Sequence, residues 1–145
     1  TANVARRFGV KPKVAMLSFS NFGTSEELRT DRIEEAIEIV REKDSELIID
    51  GPMQADTALV NSIQEEYPFM AFNGPANILI CPNLASANIA YKLLQRIAGA
   101  EMTGPILEGL AKPSHVLQRG DSVRDVVHMA AICAVDAIRY EQEKL

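Results

Sequence analysis

Residues able to do chemistry concentrate in three short segments of this chain. SFSNFGTS places Ser20, Asn21, Gly23 and Thr24 between an apolar run and a helical one. Backbone N–H groups and the helix dipole at such a junction favour an anion, and glycine permits close approach of a ligand. The plainer reading is that Thr24, with Glu27 three residues on, caps the helix. DGPMQADTAL carries Asp50 and Asp56 after an apolar run. Two carboxylates can share acid–base work or hold a metal, and they can equally serve a turn and a helix cap.

The third segment, QRGDSVRD, opens the last helical stretch. Arg119 has the planar fork that suits phosphate or carboxylate. A ligand contact and a structural salt bridge both fit it. Asp125 follows Ser122 by three residues, so its structural role is the second half of a capping box. His115 and His128 are far apart, and there is no HExxH or CxxC spacing, which argues against a protein-bound metal. Ser18 and Ser20 lie outside any nucleophile-elbow pattern, which argues against a serine hydrolase.

The elements that position these segments alternate in type. KVAMLSFS (13–20), ELIIDG (46–51) and NILICP (77–82) read as buried strands. Stretches 25–43, 55–67, 83–99 and 122–143 carry helical apolar spacing, and Ser122 and Gly99 mark helix ends. The opening TANVARRFGVKPK reads as a helix end stopped by Pro12, and SHVL as a short strand leading to Arg119. Strands alternating with helices predict an α/β fold with a mainly parallel sheet, Ile78 to Ile80 in a central strand covered on both faces. Ligands of such folds bind beyond the carboxyl ends of the strands, hence in the loops after Phe19, Gly51, Pro82 and Leu117.

With 145 residues, 47% of them hydrophobic and 24% charged, the chain has the material for one packed core without a disulfide or metal staple. A net charge of −5 disfavours nonspecific nucleic-acid binding, which requires lysine and arginine against phosphates. No apolar run approaches the roughly 18 residues of a membrane span. Cys81 and Cys133 sit in apolar surroundings and read as buried free thiols, which suggests a reducing cytoplasm. The chain starts at Thr1 rather than methionine, the expectation being a piece of a longer protein.

Taken in order, SFSNFGTS, DGPMQADTAL, GPANILICPNLASANIAYKLLQR, GPILEGLAKP and LQRGDSVRDVV resemble the carboxyl-terminal half of the phosphate acetyl/butyryltransferase family, from Lys13 to Arg139. SFSNFG, MQAD, GPANIL and SANI favour the phosphotransacetylase-like domain of bacterial NADP-dependent malic enzymes within it. True phosphotransacetylases tend to carry a serine-threonine pair before the glycine, and an aspartate rather than Asn83.

The resemblance implies an isocitrate/isopropylmalate dehydrogenase-like α/β fold. Residues 13–100 would form a second lobe, and 104–145 a segment returning to the first. It implies a homodimer or higher homo-oligomer in the cytoplasm, with an upstream malic-enzyme domain holding NADP and a divalent metal. Acetyl-CoA or acetyl phosphate is the ligand it implies for this chain, which itself would hold no cofactor or metal. Ligand-binding residues would be Ser20, Asn21, Gly23, Thr24, Asn88 and Arg119.

In the family mechanism a serine hydrogen-bonds near the reacting centre, an arginine stabilises acetyl phosphate, and an aspartate six residues after it takes the thiol proton. Arg119 and Asp125 match the last two roles, while Gln118 replaces the serine. One oriented donor lost from such a site removes on the order of 2.7–4 kcal/mol of transition-state stabilisation. The substitution therefore favours an acyl-CoA-sensing regulatory domain. An active phosphate acetyltransferase and a non-binding dimerisation module are the competing readings.

Overall fold

The computed structural model describes residues 1–23 and 30–142. By internal contacts the chain divides into two compact units, Thr1–Ala90 and Tyr91–Leu145.

The first unit is built on a parallel sheet of β1 (Lys13–Leu17), β2 (Ile48–Met53) and β3 (Ile78–Ile80), in the order β2-β1-β3. Both pairings are parallel, as the alternation of strands and helices predicted. Alternate residues of β1 feed the two faces. Val14 packs with Ile37, Ile49 and Ile78 on one side, and Ala15 with Met53, Ala58, Phe72 and Ala76 on the other. The central strand is thus β1, not the Ile78–Ile80 strand expected. Within the described sheet β3 pairs only with β1, and Leu79 is exposed.

At Gly51 the register slips between Ala15 and Leu17. Its φ is +140°, and a Cβ there would lie 2.6 Å from the backbone oxygen of Met16, so only glycine fits. At the opposite end of the sheet, Lys13 N–H donates to Asn77 Oδ1 at 2.8 Å, and Asn77 Nδ2 to the Lys11 carbonyl at 2.9 Å.

The helices are α1 (Ala2–Arg7), α2 (Asp31–Lys43), α3 (Ala55–Leu59), α4 (Asn61–Gln64), α5 (Leu84–Ile97) and α6 (Val123–Gln142). Thr24 and the capping pair Thr24–Glu27, with the expected helix start at Ser25, lie outside the described residues. The single helix expected over 55–67 is broken at Val60, which is extended (φ −111°, ψ 113°). The carbonyl of Ala58 accepts from Ala76 N–H and from Gln64 Nε2, which also donates to the Thr57 carbonyl. Tertiary partners thereby take the acceptors that a continuous helix would use. The helix expected at the start of the chain is present, but it ends at Arg7, ahead of the Pro12 stop expected, and β1 begins at Lys13.

In the second unit, the strand expected at Ser114–Leu117 is absent, and residues 98–122 are irregular. Prolines 105 and 113 lack an N–H to offer a sheet. His115 instead carries the order here. Its Nδ1 accepts from Leu107 N–H at 3.2 Å, leaving the ring proton on Nε2, which meets Asp136 Oδ2 at 3.2 Å with both side chains buried. Both cysteines are free, but half-buried rather than buried as expected.

Candidate functional site

Among the described residues, loops at the carboxyl edge of the sheet are tied together by Asn21. Its Oδ1 accepts from Gln54 N–H at 2.7 Å and its Nδ2 donates to the Tyr67 hydroxyl at 3.1 Å. Gln54 Nε2 reaches the Phe19 carbonyl at 2.6 Å, and Phe22 N–H the Pro52 carbonyl at 2.7 Å. Asn21 is therefore committed to structure, whatever else it touches. Phe22 is held at φ +46°, a region where a bulky residue is an outlier costing about 1–3 kcal/mol. Gly23, exposed at φ +74°, follows it.

Ser20 stands apart from this network. It is 6% exposed, and its hydroxyl has no hydrogen-bond partner among the described residues. A buried hydroxyl without a partner is costly, and such groups concentrate where a ligand or water completes the site.

The carboxylates of DGPMQADTAL have local duties. Asp50 Oδ2 accepts from Ala71 N–H at 2.6 Å and its Oδ1 from Gly51 N–H, while Asp56 Oδ1 accepts from Thr57 N–H. Neither is arranged as a catalytic pair. Asn83 accepts from Ser86 N–H through Oδ1 at 2.9 Å, capping α5, on which Asn88 is exposed.

In the second unit, Arg119 lies in a turn rather than after a strand. It is exposed and holds no hydrogen bond or ion pair among the described residues. Six residues on, Asp125 is engaged through one carboxylate oxygen and its N–H. Its Oδ2 accepts from Ser122 Oγ at 2.7 Å and Ser122 N–H at 2.8 Å, and Asp125 N–H donates back to Ser122 Oγ at 3.2 Å. Those bonds from Ser122, the hydroxyl first, hold the Asp125 carboxyl below the usual carboxylate range.

Gln118 also has neighbours the sequence did not announce. Its N–H donates to Asp121 Oδ2 at 2.6 Å, and its Oε1 faces Lys92 Nζ at 3.4 Å. Lys92 in turn lies 4.8 Å from the centre of the Tyr91 ring. Hydrogen bonding to Lys92 lowers the Tyr91 phenol below its ordinary value; burial opposes the shift and Gln118 adds to it. Lys92 and Tyr91 went unmarked because helical apolar spacing alone explains their segment. Elsewhere in this unit, Glu101 and Arg124 form an exposed two-pronged pair, both contacts at 2.7 Å.

A parallel sheet with flanking helices and polar loops at its carboxyl edge defines the first unit as an α/β domain. The chain belongs to the phosphate acetyl/butaryl transferase family, whose pattern it matches over residues 1–134. It is 46% identical to the NADP-dependent malic enzyme of Escherichia coli K12 over 94% of this chain and 18% of that protein. To the phosphate acetyltransferase of Bacillus subtilis it is 41% identical over 95% of this chain and 43% of that one. The crystal structure of a phosphotransacetylase from Streptococcus pyogenes superposes with a TM-score of 0.87 at 40% identity, covering 96% of this chain and 43% of its own. The chain thus spans less than half the length of these relatives. The phosphotransacetylase-like region expected from the sequence, shared with NADP-dependent malic enzymes, is borne out.

Proposed function

We propose that this chain is an acyl-CoA-sensing, regulatory phosphotransacetylase-like region of a multidomain NADP-dependent malic enzyme. The observation that carries the reading is the state of Asp125. A general base needs a free lone pair and a proton affinity near the working pH. Asp125 gives one oxygen, Oδ2, to the α6 cap, and the bonds from Ser122 lower the proton affinity of the carboxyl, so it is a weaker base even through Oδ1. Gln118, in place of the family's serine, turns its oxygen toward Lys92. Arg119 keeps an uncommitted guanidinium, enough to hold the anionic part of a ligand. Binding at such a site acts on a distant active centre only through different affinities for two conformational states. In the parent chain, NADP, a divalent metal and malate would belong to a separate domain.

The competing reading is an active phosphate acetyltransferase with Arg119 on the acetyl phosphate and Asp125 as base. It draws on the likeness to the Bacillus subtilis phosphate acetyltransferase. Calorimetric titration with acetyl-CoA, beside an assay for CoA thiol released from acetyl-CoA and phosphate, separates the two. The regulatory reading expects binding with no more than trace release, and still only a trace after Gln118→Ser. Robust release by the unmutated protein promotes the transferase. No heat of binding and no release leave an assembly module. For that role the exposed apolar residues of α6, Val123 at 82% foremost, supply a surface whose two-fold pairing light scattering would detect.

A further inference from the structure

Phe22, Tyr67 and Phe69 form a three-ring cluster beyond the carboxyl ends of β1 and β2. Ring centres are 5.2 Å apart for Phe22–Tyr67, 4.8 Å for Phe22–Phe69 and 6.0 Å for Tyr67–Phe69. Phe69 stands nearly perpendicular to both partners, at 78° and 87°. It is nevertheless 66% exposed, whereas Phe72, three residues later, is buried in the core. An aromatic ring left in water forfeits its burial energy, so so large an exposed ring, held in place rather than loose, needs a reason.

The cluster is built, not incidental. Phe22 is locked in the left-handed region by its bond to the Pro52 carbonyl, and Tyr67 is fixed from behind by Asn21 Nδ2. Because the Tyr67 oxygen accepts that bond, its own O–H remains to donate at the rim. A rigid π-surface bordered by one donor, on the ligand side of a parallel sheet, suits a flat heterocycle better than a flexible chain.

We propose that this ledge stacks a purine base, the adenine of a nucleotide-bearing acyl carrier; that choice of ligand rests on the acyl-CoA reading above. A base of any kind stacks on such rings through its π-face, with Phe69 supplying most of the contact area.

The chain has no tryptophan, so Phe69→Trp introduces a single indole on the ledge. Titration of this variant with ADP, and separately with CoA, is expected to quench its emission saturably. Phosphopantetheine, which lacks the base, is expected to leave it unchanged. In a second variant, Phe69→Ala, calorimetry should show ADP binding about five- to a hundredfold weaker than in the unmutated chain. Its melting temperature should barely move, since the ring is mostly exposed. Absence of quenching by both ADP and CoA overturns the ledge, as does equal quenching by phosphopantetheine. CoA binding without quenching discards the ledge and keeps the acyl-CoA reading. ADP quenching in a chain with no affinity for acetyl-CoA upholds the ledge and removes that reading.

Discussion

Lys92 Nζ lies 3.4 Å from Gln118 Oε1, joining α5 to the turn that carries Arg119. The contact is long for a hydrogen bond, but it gives the glutamine a preferred direction. The residue that departs from the family pattern thus has a partner of its own, its amide oxygen facing the lysine while Nε2 keeps its N–H donors. The same lysine sits against Tyr91, so one ammonium connects the substitution to a phenol.

Tyr91 should lose a proton at lower pH than an ordinary tyrosine, because Lys92 favours the phenolate. Lys92→Met removes the bond and the charge that favour the phenolate, leaving the weaker help of Gln118 against burial, which acts the other way. The expected outcome is a rise in the Tyr91 titration midpoint, followed by NMR of ring-labelled tyrosine. A midpoint unmoved by Lys92→Met would mean the ammonium is not on the ring in solution.

Arg119→Ala should weaken acetyl-CoA binding without unfolding anything, since the guanidinium has no protein partner to lose among the described residues. A charge-assisted hydrogen bond contributes about 1.5–3 kcal/mol, and exposure places this one near the lower end, roughly tenfold in affinity. In the parent enzyme, malate turnover without effector should stay the same. Calorimetry and the effector response curve check the two halves. An unchanged affinity would move the ligand toward the Ser20–Gly23 loop.

Ser122→Ala should cost about 0.5–2 kcal/mol of stability by removing the hydroxyl half of the α6 cap. It also has a pH signature. Asp125 has a depressed folded value, so its contribution is complete above the unfolded value and lost as pH falls through the folded one. Wild-type stability should therefore decline in acid below about pH 4. Ser122→Ala should flatten part of that decline. Glu101, lowered chiefly by its bond from Arg124, contributes a loss of the same sign that survives the substitution. Urea denaturation at several pH values measures both effects.

Gly51→Ala should destabilise the first unit by about 2–4 kcal/mol, combining a strained backbone with a clash against the Met16 backbone. The clash partner is a strand carbonyl and cannot swing aside as a side chain would. A denaturation midpoint within error of wild type would contradict the close approach of β1 and β2.

Hydrogen bonds and periodicities confined to neighbouring residues were legible in the amino-acid order. The parallel α/β class followed from apolar runs alternating with amphipathic stretches. Ser122 and Asp125 announced a capping box that forms as written, because its atoms are three residues apart and meet wherever a helix starts. Ordered agreement with the family's segments supplied Arg119, Asp125 and the anomaly at Gln118 from sequence alone.

Other features were decided by contacts between distant parts of the chain. Val60 reads as mid-helix until Ala76 claims the Ala58 carbonyl. SHVL reads as a strand, but His115 is engaged by Leu107 and Asp136 where a sheet partner was expected. Asn21 reads as a ligand contact, yet it meets Gln54 and Tyr67, 33 and 46 residues away. No local pattern encodes such pairings. They depend on which surfaces the packed core brings together, so the aromatic ledge, the Lys92–Gln118 contact and the central place of β1 exist only once the chain has folded.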